Sequence, residues 1–149
     1  SANNYQYYLD FAAIDNAKLN RDAVVAAFVA ELNKDPKVFL AFDNRNISAV
    51  NLPAELKEMF QKGYSLQRGG DVQVVLKSGS YLGFPTGTTH GSWYPYDAHV
   101  PLLFMGWGIK QGKLNREVRT IDIAPTLSAL LHIQMPSGSI GKVIDEVIK

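Results

Sequence analysis

Asn20-Arg21-Asp22-Ala23-Val24-Val25-Ala26-Ala27-Phe28-Val29-Ala30-Glu31-Leu32, followed after Pro36 by Lys37-Val38-Phe39-Leu40-Ala41-Phe42, sets the fold class. Val24, Val25, Phe28, Val29 and Leu32 recur at helical spacing, Asn20 is a natural N-cap, and Asp22 suits the positive end of a helix dipole. The helix has to end before Pro36, whose ring clashes with a preceding helical turn. The nearly continuous apolar run 37–42 then reads as a buried strand. Helix leading into buried strand is the building unit of an α/β domain.

The same reading extends in both directions. Upstream, the aromatic run Tyr5-Gln6-Tyr7-Tyr8-Leu9 predicts a strand, with loop and capping residues from Asp15 to Asn20. Downstream, Asp43-Asn44-Arg45-Asn46 is turn chemistry. Leu52, Leu56, Met59 and Phe60 mark one face of a second helix, with Pro53 near its start and Gly63 past its end. Arg68-Gly69-Gly70-Asp71 reads as a strand-entry turn, or as a nest of N–H groups for an anion, without the spacing of a P-loop. Val72 to Lys77 alternates as a strand covered on one side should. Val100 to Trp107 reads as a further buried strand, and Ile123, Leu127, Leu130 and Leu131 as the buried face of a last helix with Asp122 as N-cap and Pro125 in its first turn. The order β-α-β-α-β-loop-β-α predicts a single domain over residues 1–149 of α/β (α+β) class, a mixed β-sheet with packed helices. A two-layer plait and the edge of a larger three-layer core both fit.

Composition narrows function. Fifteen basic and fourteen acidic residues are scattered through 149, for a net charge of +1, so no basic stripe is available to follow a phosphate backbone, and no nucleic-acid partner is expected. No apolar run approaches the roughly 20 residues of a membrane span. Cysteine is absent, which excludes disulfides and thiolate chemistry and leaves the compartment open. The first residue is Ser, which suggests a segment upstream in the parent protein.

Residues 78–99 are dense in Gly, Ser, Thr, Pro and aromatics. A connection that long with no element of its own points to function. It holds His90 and His99, and the third histidine, His132, closes the last helix. His132 fits a helix C-terminus, where an imidazolium meets the dipole. His99 leads into the strand expected at 100, where a ring nitrogen bonded to backbone is the common outcome. His90 lies between Thr88-Thr89 and Gly91-Ser92, small residues that permit a tight turn and leave an imidazole accessible for a ligand role. A metal site takes three or four N, S or O ligands, and nothing else here has ligand spacing, so any site has to be completed from outside the chain. Thr86, Thr88, Thr89 and Ser92 crowd His90 and admit a nucleophile reading. The bland alternative is turn stabilisation by side chain to backbone bonds.

Gly87-Thr88-Thr89-His90-Gly91-Ser92-Trp93-Tyr94-Pro95-Tyr96-Asp97-Ala98-His99-Val100-Pro101-Leu102-Leu103-Phe104 resembles the carboxy-terminal motif of the alkaline phosphatase superfamily, especially its phosphodiesterase-like, PafA-type alkaline phosphatases. Gly106-Trp107-Gly108-Ile109-Lys110, Asp122-Ile123-Ala124-Pro125-Thr126-Leu127 and Gly138-Ser139-Ile140-Gly141-Lys142 are similar to the following blocks in the expected order, as are Gly63-Tyr64 and Arg68 to Asp71 upstream. The resemblance covers essentially the whole chain but only the final part of the family's length. It implies that residues 1–149 are a C-terminal fragment at the edge of that family's three-layer core. It also implies zinc in a two-metal centre, with His90 as ligand to one metal. The nucleophile, the other ligands and the phosphate-binding groups are implied to lie in an upstream catalytic half, so no catalytic residue is carried over. A phosphate-ester substrate, monoester or diester, and a periplasmic or secreted location come with the likeness. The fragment alone is expected to be inactive. The competing readings are a metal-free binding or regulatory module and a small enzyme using His90 with a nearby Thr.

Overall fold

A computed structural model describes residues 2–83, 87 and 90–149. They fall into two compact units, residues 1–100 and 101–149.

The first unit is built on a four-stranded antiparallel sheet in the order β1-β2-β4-β3, with β1 Ala2–Asn3, β2 Gln6–Tyr7, β3 Val38–Asp43 and β4 Val72–Leu76. The α/β class stands. The pairing is narrower than a mixed sheet, since every described strand pair is antiparallel. Helix α1, Phe11–Asn16, occupies part of the stretch expected to be loop, and Asp10 caps it by accepting from Ala13 N–H at 2.9 Å. Helix α2 is Arg21–Leu32, with Asn20 accepting from Ala23 N–H at 2.9 Å as its spacing predicts. Asp22 also meets Arg45 at 3.0 Å, and Arg45 in turn grips Asp43 at 2.7 Å, so the start of α2 is tied to the turn after β3.

Asn33, the C-cap of α2, closes an open edge. Its side chain accepts from Ala41 N–H at 2.9 Å and donates to Ala41 C=O at 2.9 Å. That amide does for the outer edge of β3 what a neighbouring strand would do, satisfying a donor and an acceptor together. Strand β3 itself corrects the expected continuous burial, because Phe39 is 48% exposed. The register steps from Val38 opposite Leu76 to Leu40 opposite Val75. Phe39 is therefore the extra residue of a bulge, which turns its side chain away from the sheet.

Strand β4 corrects the expectation of one-sided cover, since all five of its residues are buried. Val75 packs with Phe42, Ile47, Leu52 and Leu56, the last from helix α3, Ala54–Gly63. Val74 and Leu76 point the other way, into a cluster with Val38, Ala41 and Leu32 of α2. Helices thus cover both faces. Gln73, a polar residue in that alternation, is 4% exposed, and its Nε2 donates to Tyr5 C=O at 3.2 Å and Val74 C=O at 3.0 Å. A polar residue satisfied from within imitates the alternation of a solvent face. A short helix α4, Pro95–Ala98, completes this unit.

The second unit carries helix α5, Ile123–Leu130, preceded by a 3₁₀ turn at Thr120–Asp122. Asp122 binds Arg119 N–H at 2.9 Å and Lys142 N–H at 2.8 Å in place of capping α5. Thr126 donates to Asp122 C=O at 2.6 Å and accepts from the N–H of buried Ile144 at 3.0 Å. The fully buried residues of α5 are Pro125, Thr126 and Ser128; of the predicted face Ile123 and Leu130 are half-buried, while Leu127 and Leu131 are exposed. The expected strand 100–107 is also absent. Among the described residues none of 100–105 makes a backbone hydrogen bond, and Leu103 and Met105 are 88% and 97% exposed. A strand needs a neighbour to pair with, and no described residue provides one.

Past α5, His132 sits at φ +54°, its N–H donating to Ala129 C=O at 3.2 Å while Ile133 N–H donates to Ser128 C=O at 3.0 Å. This is the left-handed closure of a helix that glycine fills without strain. His132→Gly is expected to raise stability by about 0.5–1 kcal/mol, seen as a higher midpoint in thermal unfolding. An unchanged or lowered midpoint would contradict the strain.

Candidate functional site

The loop after β4 returns to the end of that strand through aromatic side chains. Tyr94, the N-cap of α4, donates its hydroxyl to Leu76 C=O at 3.0 Å, and Gly79 N–H donates to the Tyr96 hydroxyl at 3.0 Å. That N–H is the largest influence holding the Tyr96 phenol below its ordinary range. The rings of Trp93 and Tyr94 stack at 4.5 Å, and those of Tyr94 and Tyr96 at 5.6 Å. Pro95 at the first helical position fits a helix start, and Asp97 follows in the first turn.

His90 is exposed, and Gly91 beside it has φ +102°. That backbone conformation favours glycine, with no room problem involved, because an added Cβ would meet nothing within 4 Å. Ser92 N–H then donates to Asp97 Oδ2 at 2.6 Å. This bond is the first cause of the Asp97 carboxyl lying below its usual range, followed by the Ser92 hydroxyl, with the charge of His90 a smaller influence. Trp93 Nε1 is buried without a hydrogen-bond partner among the described residues. Gly91, Ser92 and Trp93 also border a cleft of about 290 Å³ lined by Tyr5, Phe60 and Tyr64.

Thr86, Thr88 and Thr89, the nucleophile candidates, lie outside the described residues. Ser92 meets Asp97 through its N–H. His99 is the exposed C-cap of α4, with no strand following it, and His132 closes α5. The Arg68 to Asp71 segment is a strand-entry turn: Gly69 N–H goes to Ser65 C=O, Gly70 N–H to Gln6 Oε1, and Asp71 N–H to Tyr7 C=O. Those donors are spent inside the fold and leave no nest for an anion. Asp97 was not singled out from sequence. Its signal was its place two residues after a proline at a helix start, which suits a carboxylate folding back on preceding N–H groups.

Among the described residues no three His, Asp or Glu side chains gather where a metal would sit. An exposed imidazole on a glycine turn fits one corner of a metal site and does not make one. No helix is long and apolar enough to cross a membrane among the described residues.

Alkaline phosphatase PhoV of Synechococcus elongatus is 47% identical over 146 residues, 98% of this chain and 26% of that protein. Alkaline phosphatase PafA of Elizabethkingia meningoseptica is 44% identical over 149 residues, 99% of the chain and 27% of that protein. A Myroides odoratus protein named a calcium-transporting ATPase is 40% identical over 150 residues, again 27% of its length. The crystal structure of wild-type alkaline phosphatase PafA matches all of the chain with a TM-score of 0.93 at 45% identity, using 29% of its own length. No protein-family model matches the chain. The chain spans about a quarter of the length of these curated relatives.

Proposed function

The chain corresponds to the carboxy-terminal part of PafA-type alkaline phosphatases, and from that premise we propose that it serves a longer, zinc-dependent phosphate-ester hydrolase by contributing one metal ligand, His90. The observation that carries this reading is identity of 44–47% to two alkaline phosphatases across nearly the entire chain. A two-metal centre stabilises the attacking and leaving oxygens of an in-line phosphoryl displacement. This chain's share is to present one imidazole, on a loop that Gly91 turns and that Asp97 ties down. The nucleophile and the remaining ligands belong to the upstream catalytic half, and the enzyme works in the periplasm or outside the cell.

The second unit supports a missing neighbour. Leu103, Met105, Trp107, Leu127, Leu131 and Ile133 are all exposed, large apolar side chains that a partner surface would cover. Residues 100–105 make no backbone hydrogen bond among the described residues and have an apolar sequence on both faces, the character of a strand whose sheet is elsewhere. We assign that sheet to the upstream half of the same protein.

The test is hydrolysis by the longer protein, assayed with an aryl phosphate monoester, a diester and ATP, the last because one relative is named an ATPase. Turnover is expected on at least one ester, lost on chelation and restored by zinc. Turnover indifferent to chelators would remove the zinc dependence, and no hydrolysis at all would favour the metal-free binding module.

A further inference from the structure

We propose that Asp97 is a positioning residue for His90, latching the loop that carries the imidazole to a fixed point at the end of β4; this rests on the reading of His90 as a metal ligand. Ser92 N–H, two residues past His90, donates to Asp97 Oδ2 at 2.6 Å, a bond to a carboxylate and so stronger than one between neutral groups. Between them stands Gly91 at φ +102°, a residue that imposes little restraint of its own. The first fixture after the imidazole is therefore the carboxylate.

A helix of four residues has no independent stability, so Asp97 is only as fixed as whatever holds α4. Two tyrosine hydroxyls do so: Tyr94 on Leu76 C=O, and Tyr96 under Gly79 N–H, both at 3.0 Å. Stacking of Trp93, Tyr94 and Tyr96 stiffens the link. Leu76 ends the strand that is buried at every position. Support runs from there through the tyrosines to α4, through Asp97 to Ser92, and so to His90. A functional side chain has to be held within about 0.5 Å and 10–20° of its working geometry, and loss of an outer partner of a metal ligand costs about 10–100-fold in metal affinity.

The experiment compares Asp97→Ala, Asp97→Asn and His90→Ala in the longer enzyme, with zinc affinity from metal-buffer titration beside kcat and KM. Asp97→Ala should weaken zinc binding by about 10–100-fold and lower kcat while KM stays within a few-fold. Asp97→Asn, which keeps an acceptor for Ser92 N–H, should recover most of both. If Asp97→Ala does not fold, Tyr96→Phe removes the Gly79 anchor from an exposed ring and should weaken zinc binding in the same sense. Unchanged zinc affinity in the folded variant, or Asp97→Asn as damaged as Asp97→Ala, overturns the positioning role. The two readings fail differently. If His90→Ala keeps its zinc and turnover, the ligand reading falls; if His90→Ala loses both and Asp97→Ala loses neither, the latch alone falls.

Discussion

His90→Ala in the longer enzyme is expected to lower kcat/KM for phosphate esters by more than about 100-fold, above the range that loss of an outer-shell partner produces. In phosphoryl transfer the protein contributes mainly positioning and charge stabilisation by the metals. Removing a direct ligand opens the coordination sphere, and the metal shifts or leaves. Because His90 is exposed, the change should cost little stability, within about 0.5 kcal/mol as for ordinary surface substitutions. Kinetics, zinc stoichiometry and thermal unfolding on the same sample separate these effects. Lost turnover with an unmoved midpoint is the expected pattern, and full activity would remove His90 from the site.

The second large effect is an absence. The 149-residue chain by itself should show no phosphatase turnover above background and no saturable zinc binding at micromolar metal. Stable zinc sites use three or four ligands, and no such set gathers among the described residues. The chain should remain folded through the titration with a cooperative melt, since β4 is covered on both faces, the start of α2 is capped and the edge of β3 is satisfied at Ala41. Calorimetric titration with zinc and an aryl phosphate assay make the check. Tight one-to-one binding would show that the donors are all in this chain, and zinc-dependent turnover abolished by Thr89→Ala would establish the small-enzyme reading instead.

The sequence showed most plainly what is decided within a few residues. Asn20 caps α2 because its side chain meets Ala23 N–H three positions on, and Pro36 stops that helix from within the chain. Features that depend on distant partners were misread. The bulge at Phe39 follows from registry with β4, and the two-sided burial of β4 was masked by Gln73, whose partner Tyr5 is 68 residues away. The period of α5 located the helix but only part of its inward side, because Thr126 is drawn in by Asp122 and Ile144 while Leu127 and Leu131 stay open. The run from Val100 to Trp107 has a strand's composition and no strand to join among the described residues. At the site, the exposure of His90 was legible from its small neighbours. Asp97 was not, since its role appears only when α4 folds it back onto Ser92 N–H.

The most direct measurement is a crystal structure of the longer enzyme loaded with zinc, with diffraction recorded on both sides of the zinc absorption edge to locate the metals. A nitrogen of His90 should lie about 2.0–2.1 Å from one zinc, the other ligands should come from outside this chain, and Asp97 should still accept from Ser92 N–H. A two-metal centre fully coordinated without His90, its imidazole pointing into solvent, would contradict the account.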